Sequence, residues 1–269
     1  TPNHVEQCLS YGIDALWIGA RTTTNPFSVQ DIAEALRGEK IPIFVKNPLN
    51  PDLKLWIGAI ERLKRVGIEN VYAVHRGFSL ADNGNYRQTP LWQIPIELKR
   101  IFPDLNIICD PSHIAGKREL VESLSQTAMN LGLDGLMIEV HHNPEIAKTD
   151  SKQQLSIKDF ENLVKNLIIS KTEENILPEK INILRKEIDD IDNKLIELLS
   201  ERMEVSDKIA QIKKESNLSV LQMNRWNKLL SDRMEYSKTK GLSEVFTKEI
   251  FELIHEESIR LQDEIIKTI

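Results

Sequence analysis

Residues Glu179 to Asn217 run without a single Pro or Gly. Apolar residues recur at Ile181, Leu184, Ile188, Ile191, Leu195, Leu198, Val205, Ile209 and Ile212. These are helical spacings of three and four, with charges on the other face. Pro178 stands just ahead, where the start of a helix tolerates a ring. A helix of about 38 residues is roughly 57 Å long at 1.5 Å per residue. That exceeds the width of a small domain, so the apolar stripe needs an equally long partner. A second copy of the same helix, over 179–217, is the obvious one.

The stretch also holds Arg185, Arg202 and Lys213 close to its apolar run. Arg202 and Lys213 are eleven residues apart, about 20° from three full turns, so they share a face. Arg185 lies roughly 25 Å further back along the axis. One small molecule does not reach both within one chain, but an antiparallel pair would bring Arg185 of one copy to Arg202 and Lys213 of the other. The alternative is that these cations snorkel on a solvated helix. A short helix is expected over Arg225 to Ser237. A third is expected from Ser243 to Lys267, on the apolar set Phe246, Ile250, Leu253, Ile254, Ile259 and Leu261. Ser258 and Gln262, four apart, share a face of it. Arg, Lys, Ser and Gln gathered on three helices suit a dianion with an ether oxygen.

The segments LRKEIDDIDNKLIELLSERMEVSDKIAQIKK and FELIHEESIRLQ, with Arg225 between them, resemble the all-helical class of chorismate mutase from Glu179 to about Ile266. The resemblance implies a mutase domain over 179–269 that uses no cofactor and converts chorismate to prephenate. By it, Arg202 binds one substrate carboxylate and Arg185 of the partner copy binds the other. Lys213 and Gln262 donate to the ether oxygen, and Arg225 and Ser258 line the pocket. Gln222 and Trp226 stand where the best-known members carry acidic residues, the second of which holds the substrate hydroxyl. Two rival readings of the helices stay open: a regulatory module binding chorismate or prephenate, and a plain dimerisation device.

Ahead of the helices, short apolar runs alternate with helical patterns. Strands are expected at Ala15–Gly19, Ile41–Val45, Asn70–Val74, Asn106–Cys109 and Gly135–Val140. Helices are expected at Pro2–Tyr11, Val29–Leu36, Leu53–Val66, Pro95–Ile101, Lys117–Leu131 and Ile157–Ile168. This alternation predicts a parallel sheet of five βα units. Each strand closes with a charged or metal-competent side chain at or near its end: Arg21, Lys46, Arg76, Asp110 with His113, and Glu139. Parallel α/β proteins bind ligands at that end. Arg21, Lys46 and Arg76 suit phosphate and carboxylate groups. His113 and Glu139 suit a divalent metal, with Asp150 a third candidate ligand.

GARTTTNPF, VKNP, HRGF, DPSH and IEVHHNPE resemble the 3-deoxy-D-arabino-heptulosonate-7-phosphate (DAHP) synthases, in the branch shared with octulosonate-phosphate synthases. The resemblance implies an α/β fold, a (β/α)8 TIM barrel joining phosphoenolpyruvate to erythrose 4-phosphate. Arg21, Lys46 and Arg76 would bind phosphoenolpyruvate, with Lys46 also near the carbonyl chemistry. His113, Glu139 and Asp150 would hold a metal of the Mn, Fe, Co or Zn class. The barrel has eight strands in about 250 residues, and about five βα units are expected here, over 1–170. The family's Gly-Pro-Cys and Lys-Pro-Arg motifs are missing from the sequence. The chain is therefore read as a truncated copy or fragment, without synthase activity of its own, of a parent that has it. This branch includes members fused to a C-terminal chorismate mutase, the order seen here.

The remaining features are quieter. KTEENILPEK, 171–180, reads as a linker. A net charge of −6 argues against nucleic acid. No apolar run nears the ~20 residues of a membrane span, and no signal peptide is visible. Two cysteines, Cys8 and Cys109, make no disulfide framework and point to the cytoplasm. Trp17, Trp56 and Trp92 read as packing residues. His141 and His142, taken as neighbours in a strand, are expected on opposite faces. His75 is expected to point away from the face used by Arg76.

Overall fold

The computed structural model describes residues 1–169 and 179–267. The chain divides into two compact units, Thr1–Thr172 and Glu173–Ile269. The expected linker falls outside the described residues over 171–178. No described helix is long and apolar enough to cross a membrane.

The first unit opens with α1 (Pro2–Ser10), then β1 (Leu16–Ile18), α2 (Ala20–Thr23), α3 (Pro26–Ala35), β2 (Ile43–Lys46), α4 (Leu53–Arg65) and β3 (Val71–His75). It continues through α5 (Gln93–Ile101), β4 (Ile107–Cys109), α6 (Pro111–Ala115), α7 (Val121–Asn130), β5 (Gly135–Leu136) and α8 (Ile157–Asn166). The five strands pair in sequence order and all run parallel. Caps explain where the helices start. Asn25 accepts from the backbone of Phe27 and Ser28 with Pro26 behind it, Asp52 accepts from Leu55, and Ser156 from Asp159.

Pleat alternation sorts each strand into two rows. Leu16, Ile18, Ile43, Val45, Val71, Ala73 and Ile107 pack against helix residues such as Val29, Trp56, Ile60, Leu63 and Leu98. Trp56 is fully buried and its indole N–H donates to the Val45 carbonyl at 3.1 Å. On the opposite row, Trp17 pairs with Phe44 and Phe44 with Tyr72, and the last two rings stack at 4.9 Å. Trp17 is 67% exposed. The expected packing role therefore fails for it: its row has no second layer of described residues, and β1 is an edge strand.

The last strand is shorter than expected. Pairing with β4 ends at Leu136, and beyond it only an isolated bridge joins Val140 to Leu155. An apolar run makes a strand only where a neighbour takes its hydrogen bonds, and here the neighbour stops. His141 and His142 thus lie past the sheet, and their rings stack at 4.4 Å instead of facing apart. The expected Lys117–Leu131 helix begins as a separate 3-10 turn, Arg118–Leu120.

The second unit is three helices: α9 (Glu179–Glu215), α10 (Met223–Thr239) and α11 (Glu244–Lys267). α11 packs against both others. The buried residues of this unit are small or polar: Ser206, Ala210, Ser237, Thr247, Ser258 and Gln262. The apolar stripe of α9 stays open, with Leu184, Ile188, Ile191, Leu195 and Leu198 each more than half exposed. A single copy of this unit therefore has little apolar core among its described residues.

Candidate functional site

The C-terminal ends of the parallel strands bring Lys46, Arg76 and His113 to one buried carboxylate, Asp110. Asp110 caps α6 by accepting from the His113 backbone N–H at 3.1 Å. Lys46 Nζ lies 3.0 Å from its Oδ2, with the Asp110 side chain 1% exposed. His113 Nδ1 lies 2.8 Å from the same oxygen. Burial raises the Asp110 pKa, but the hydrogen bond from His113 and the charges of His113 and Lys46 outweigh it and hold the carboxyl below its ordinary value.

Arg76 is buried at the end of β3. Its backbone N–H donates to Asn47 Oδ1 at 2.7 Å, and its Nη1 to Gln88 Oε1 at 3.2 Å. Asn47, wholly buried, also donates to the Pro48 and Gly77 carbonyls and so ties the ends of β2 and β3 together. Burial lowers the Arg76 pKa; Asp110 opposes this, and the charges of Arg87 and Arg21 add to it. Mutually repelling cations held together signal an anion site. Arg21 reaches it from α2, one step beyond the strand end where the sequence put it.

The three predicted metal ligands meet. One ligand atom each from His113, Glu139 and Asp150 lies within 4.8 Å of the others. An imidazole and two carboxylates form a donor set that fits a divalent cation. His113 Nδ1 is engaged by Asp110, which turns Nε2 toward Glu139, 3.8 Å from Oε1. A carboxylate behind a ligating histidine fixes its tautomer.

Two residues here escaped the sequence reading. Arg87 Nη1 donates to Asp150 Oδ1 and to Gln153 Oε1, both at 2.7 Å. Gln153, 1% exposed, donates on to Glu139 Oε2 at 2.8 Å. Gly116, at φ +67, lets Arg87 approach, since a Cβ there would stand 2.4 Å from Arg87 Cβ. Gln153→Ala removes the orienting amide behind Glu139. The affinity of the trio for Mn2+ is then expected to fall about 10–100-fold, read by titration with electron paramagnetic resonance; an unchanged affinity would mean that Glu139 orients itself.

In the helical unit a cavity of about 390 Å³ is lined by Arg202, Val205, Lys213, Gln222, Arg225, Trp226, His255, Ser258 and Gln262, among others. Arg202 Nη1 donates to Ser258 Oγ at 2.6 Å, and Ser258 donates to the Ile254 carbonyl. Lys213 Nζ donates to the Val220 carbonyl at 2.6 Å and to Gln262 Oε1 at 3.0 Å. Gln262 Nε2 donates to Ser206 Oγ at 2.8 Å. Gln262 spends one of the two N–H groups of its amide on Ser206, and its carbonyl end is held by Lys213. Burial lowers the pKa of Lys213 and of Arg202, with Arg233 adding to the second. Arg185 is exposed on α9 and lines no part of this cavity. Trp226 stacks on His255 with centroids 3.9 Å apart and planes 3° from parallel. His255 was overlooked, although it falls three residues before Ser258 and so on the same helix face.

Relatives fall into two groups along the chain. Residues 2–176 match the DAHP synthetase I family and residues 184–263 match chorismate mutase type II. A phospho-2-dehydro-3-deoxyheptonate aldolase of Thermotoga maritima is 29% identical over 154 residues, 57% of this chain and 44% of that protein. A bifunctional chorismate mutase/prephenate dehydratase of Buchnera aphidicola is 36% identical over 85 residues, 32% of this chain and 22% of that protein. The solved truncated form of 3-deoxy-D-arabino-heptulosonate 7-phosphate synthase from Thermotoga maritima superposes with a TM-score of 0.55 at 27% identity, covering 61% of this chain and 60% of that one. The chain thus spans less than half the length of these two curated relatives. By the greater part of its length it belongs to the DAHP synthetase I family, and it carries a type II chorismate mutase domain behind that part.

Proposed function

We propose that the helical unit, 179–269, rearranges chorismate to prephenate, and that the sheet unit, 1–170, holds the phosphoenolpyruvate and metal part of a DAHP synthase site. The observation that carries the first half is one cavity lined by Arg202, Lys213 and Arg225, together with Ser258 and Gln262. The rearrangement is intramolecular and needs neither general acid nor base. It needs a compact conformer and stabilisation of the charge that builds on the ether oxygen. Arg202 takes a carboxylate with its planar fork. Lys213 has three N–H groups, of which two are spent on Val220 and Gln262; the third is aimed at the ether oxygen. Arg225 and Gln222 close the mouth. Arg185 comes from a second copy, paired through the uncovered stripe of α9, so the active form is a homodimer. No cofactor enters this half.

In the sheet unit, Arg21, Lys46 and Arg76 hold the phosphate and carboxylate of phosphoenolpyruvate. His113, Glu139 and Asp150 hold a divalent ion of the Mn, Fe, Co or Zn class. When bound, such an ion polarises the carbonyl of erythrose 4-phosphate. Lys46 keeps Asp110 charged, and Asp110 keeps His113 oriented. Condensation to DAHP belongs to the whole parent enzyme. The chain works in the cytoplasm, where Cys8 and Cys109 remain thiols.

The test is chorismate consumption by this chain, with Arg202→Ala as control. Turnover is expected, and the substitution should lower kcat/KM by at least ~100-fold, the loss of a bidentate charged contact. Tight chorismate binding with no turnover would make the unit regulatory instead.

A further inference from the structure

The mutase cavity is rich in donors and poor in acceptors. Among the described residues three cations line it, and no Asp or Glu does. Most of its neutral polar side chains are already engaged. Ser258 Oγ accepts from Arg202 and donates to Ile254; Gln262 Oε1 accepts from Lys213; Ser206 Oγ accepts from Gln262. What remains is Gln222, exposed at the start of α10, and His255. His255 lies flat on Trp226 and its Nε2 is buried with no hydrogen-bond partner among the described residues. Leaving such an atom unpaired is costly, and a bound group that pairs with it recovers the cost.

A cyclic dianion that carries a ring hydroxyl can satisfy both carboxylates here from Arg and Lys. Its hydroxyl proton needs an acceptor, which no cation supplies. We infer that His255, held against Trp226, recognises the ring hydroxyl of the substrate and so sets the specificity of the pocket, an inference that rests on the mutase reading above. Burial, then the charges of Arg202 and Lys213, lower the His255 pKa, so the ring is uncharged near neutral pH and keeps one nitrogen lone pair. Trp226 fixes the plane of that ring and covers one of its faces.

The test compares kcat/KM for chorismate and for chorismate lacking its ring hydroxyl. The parent chain is expected to prefer chorismate about tenfold, the worth of one neutral hydrogen bond at its upper range. His255→Phe keeps the stack and removes the nitrogen, and its preference should fall to about one. His255→Met, which also lacks a ring nitrogen, serves in case the Phe variant does not fold. His255→Gln, with a neutral acceptor, should restore part of the preference. A preference that survives in the Phe or Met variant overturns the inference, as does its transfer to Gln222→Leu or its absence from the parent. Failure of the parent to turn over either compound would instead remove the mutase reading, and this inference with it.

Discussion

Lys213→Ala is expected to lower kcat for chorismate by about 10²–10³-fold, the usual effect of deleting one preorganised donor at a developing oxyanion. In the proposed role, a contact from Nζ to the ether oxygen would tighten as negative charge arrives there, so its loss would fall on the transition state more than on the bound substrate. KM should move much less than kcat. Stability should fall by about 1 kcal/mol, because the Val220 carbonyl and Gln262 Oε1 lose a donor. Steady-state kinetics with a thermal melt separates the two effects. Turnover within a few-fold of the parent would exclude Lys213 from the chemistry.

His75→Phe is expected to make the sheet unit less sensitive to acid. The His75 ring is fully buried, 5.1 Å from Trp92 and 5.8 Å from Phe78 by centroids. Neither nitrogen meets hydrogen-bond geometry with a partner among the described residues. Burial depresses its pKa from 6.5 to about 3; the Pro90 backbone and Asp110 oppose the shift only in part. Between those two values the unfolded chain binds a proton that the folded chain refuses, so stability falls as pH falls through that window. From pH 7 to pH 3 the loss from this one group is about 4 kcal/mol. Phe fills nearly the same space and cannot bind the proton. Urea unfolding of both proteins across that range should therefore give curves that diverge at low pH. Curves that stay parallel would mean that His75 protonates in the folded protein.

The long helix was legible because its signal is local: one residue type repeats at one period for ten turns. The strand-end residues Lys46, Arg76 and His113 were legible because a parallel sheet puts all its C-terminal ends at one edge. The sequence misled where the answer depended on a neighbour. Nothing within the run from Gly135 to Val140 says that β4 stops supplying hydrogen bonds after Cys109, and the placement of His141 and His142 failed with it. Trp17 is apolar in an apolar run, yet its exposure depends on what faces the sheet. Arg87 and Gln153 are 66 residues apart and sit on loops, where no period marks them. Asn47 was likewise invisible, since its value lies in spanning two strand ends. His255 could have been read, because it shares the face of Ser258 and Gln262.

The unbroken course of α9 makes it a ruler. Arg202 and Lys213 mark one station on it, and Arg185 another. Substitution along the rod changes what a station carries, but insertion changes where the station is. One residue added between Arg185 and Arg202 turns the first by about 100° and moves it about 1.5 Å relative to the second. Seven residues added restore the heading to within about 20° but shift the station by about 10 Å. For a site completed by a second copy, as proposed, an insertion along this helix would therefore be as damaging as the loss of Arg185 itself.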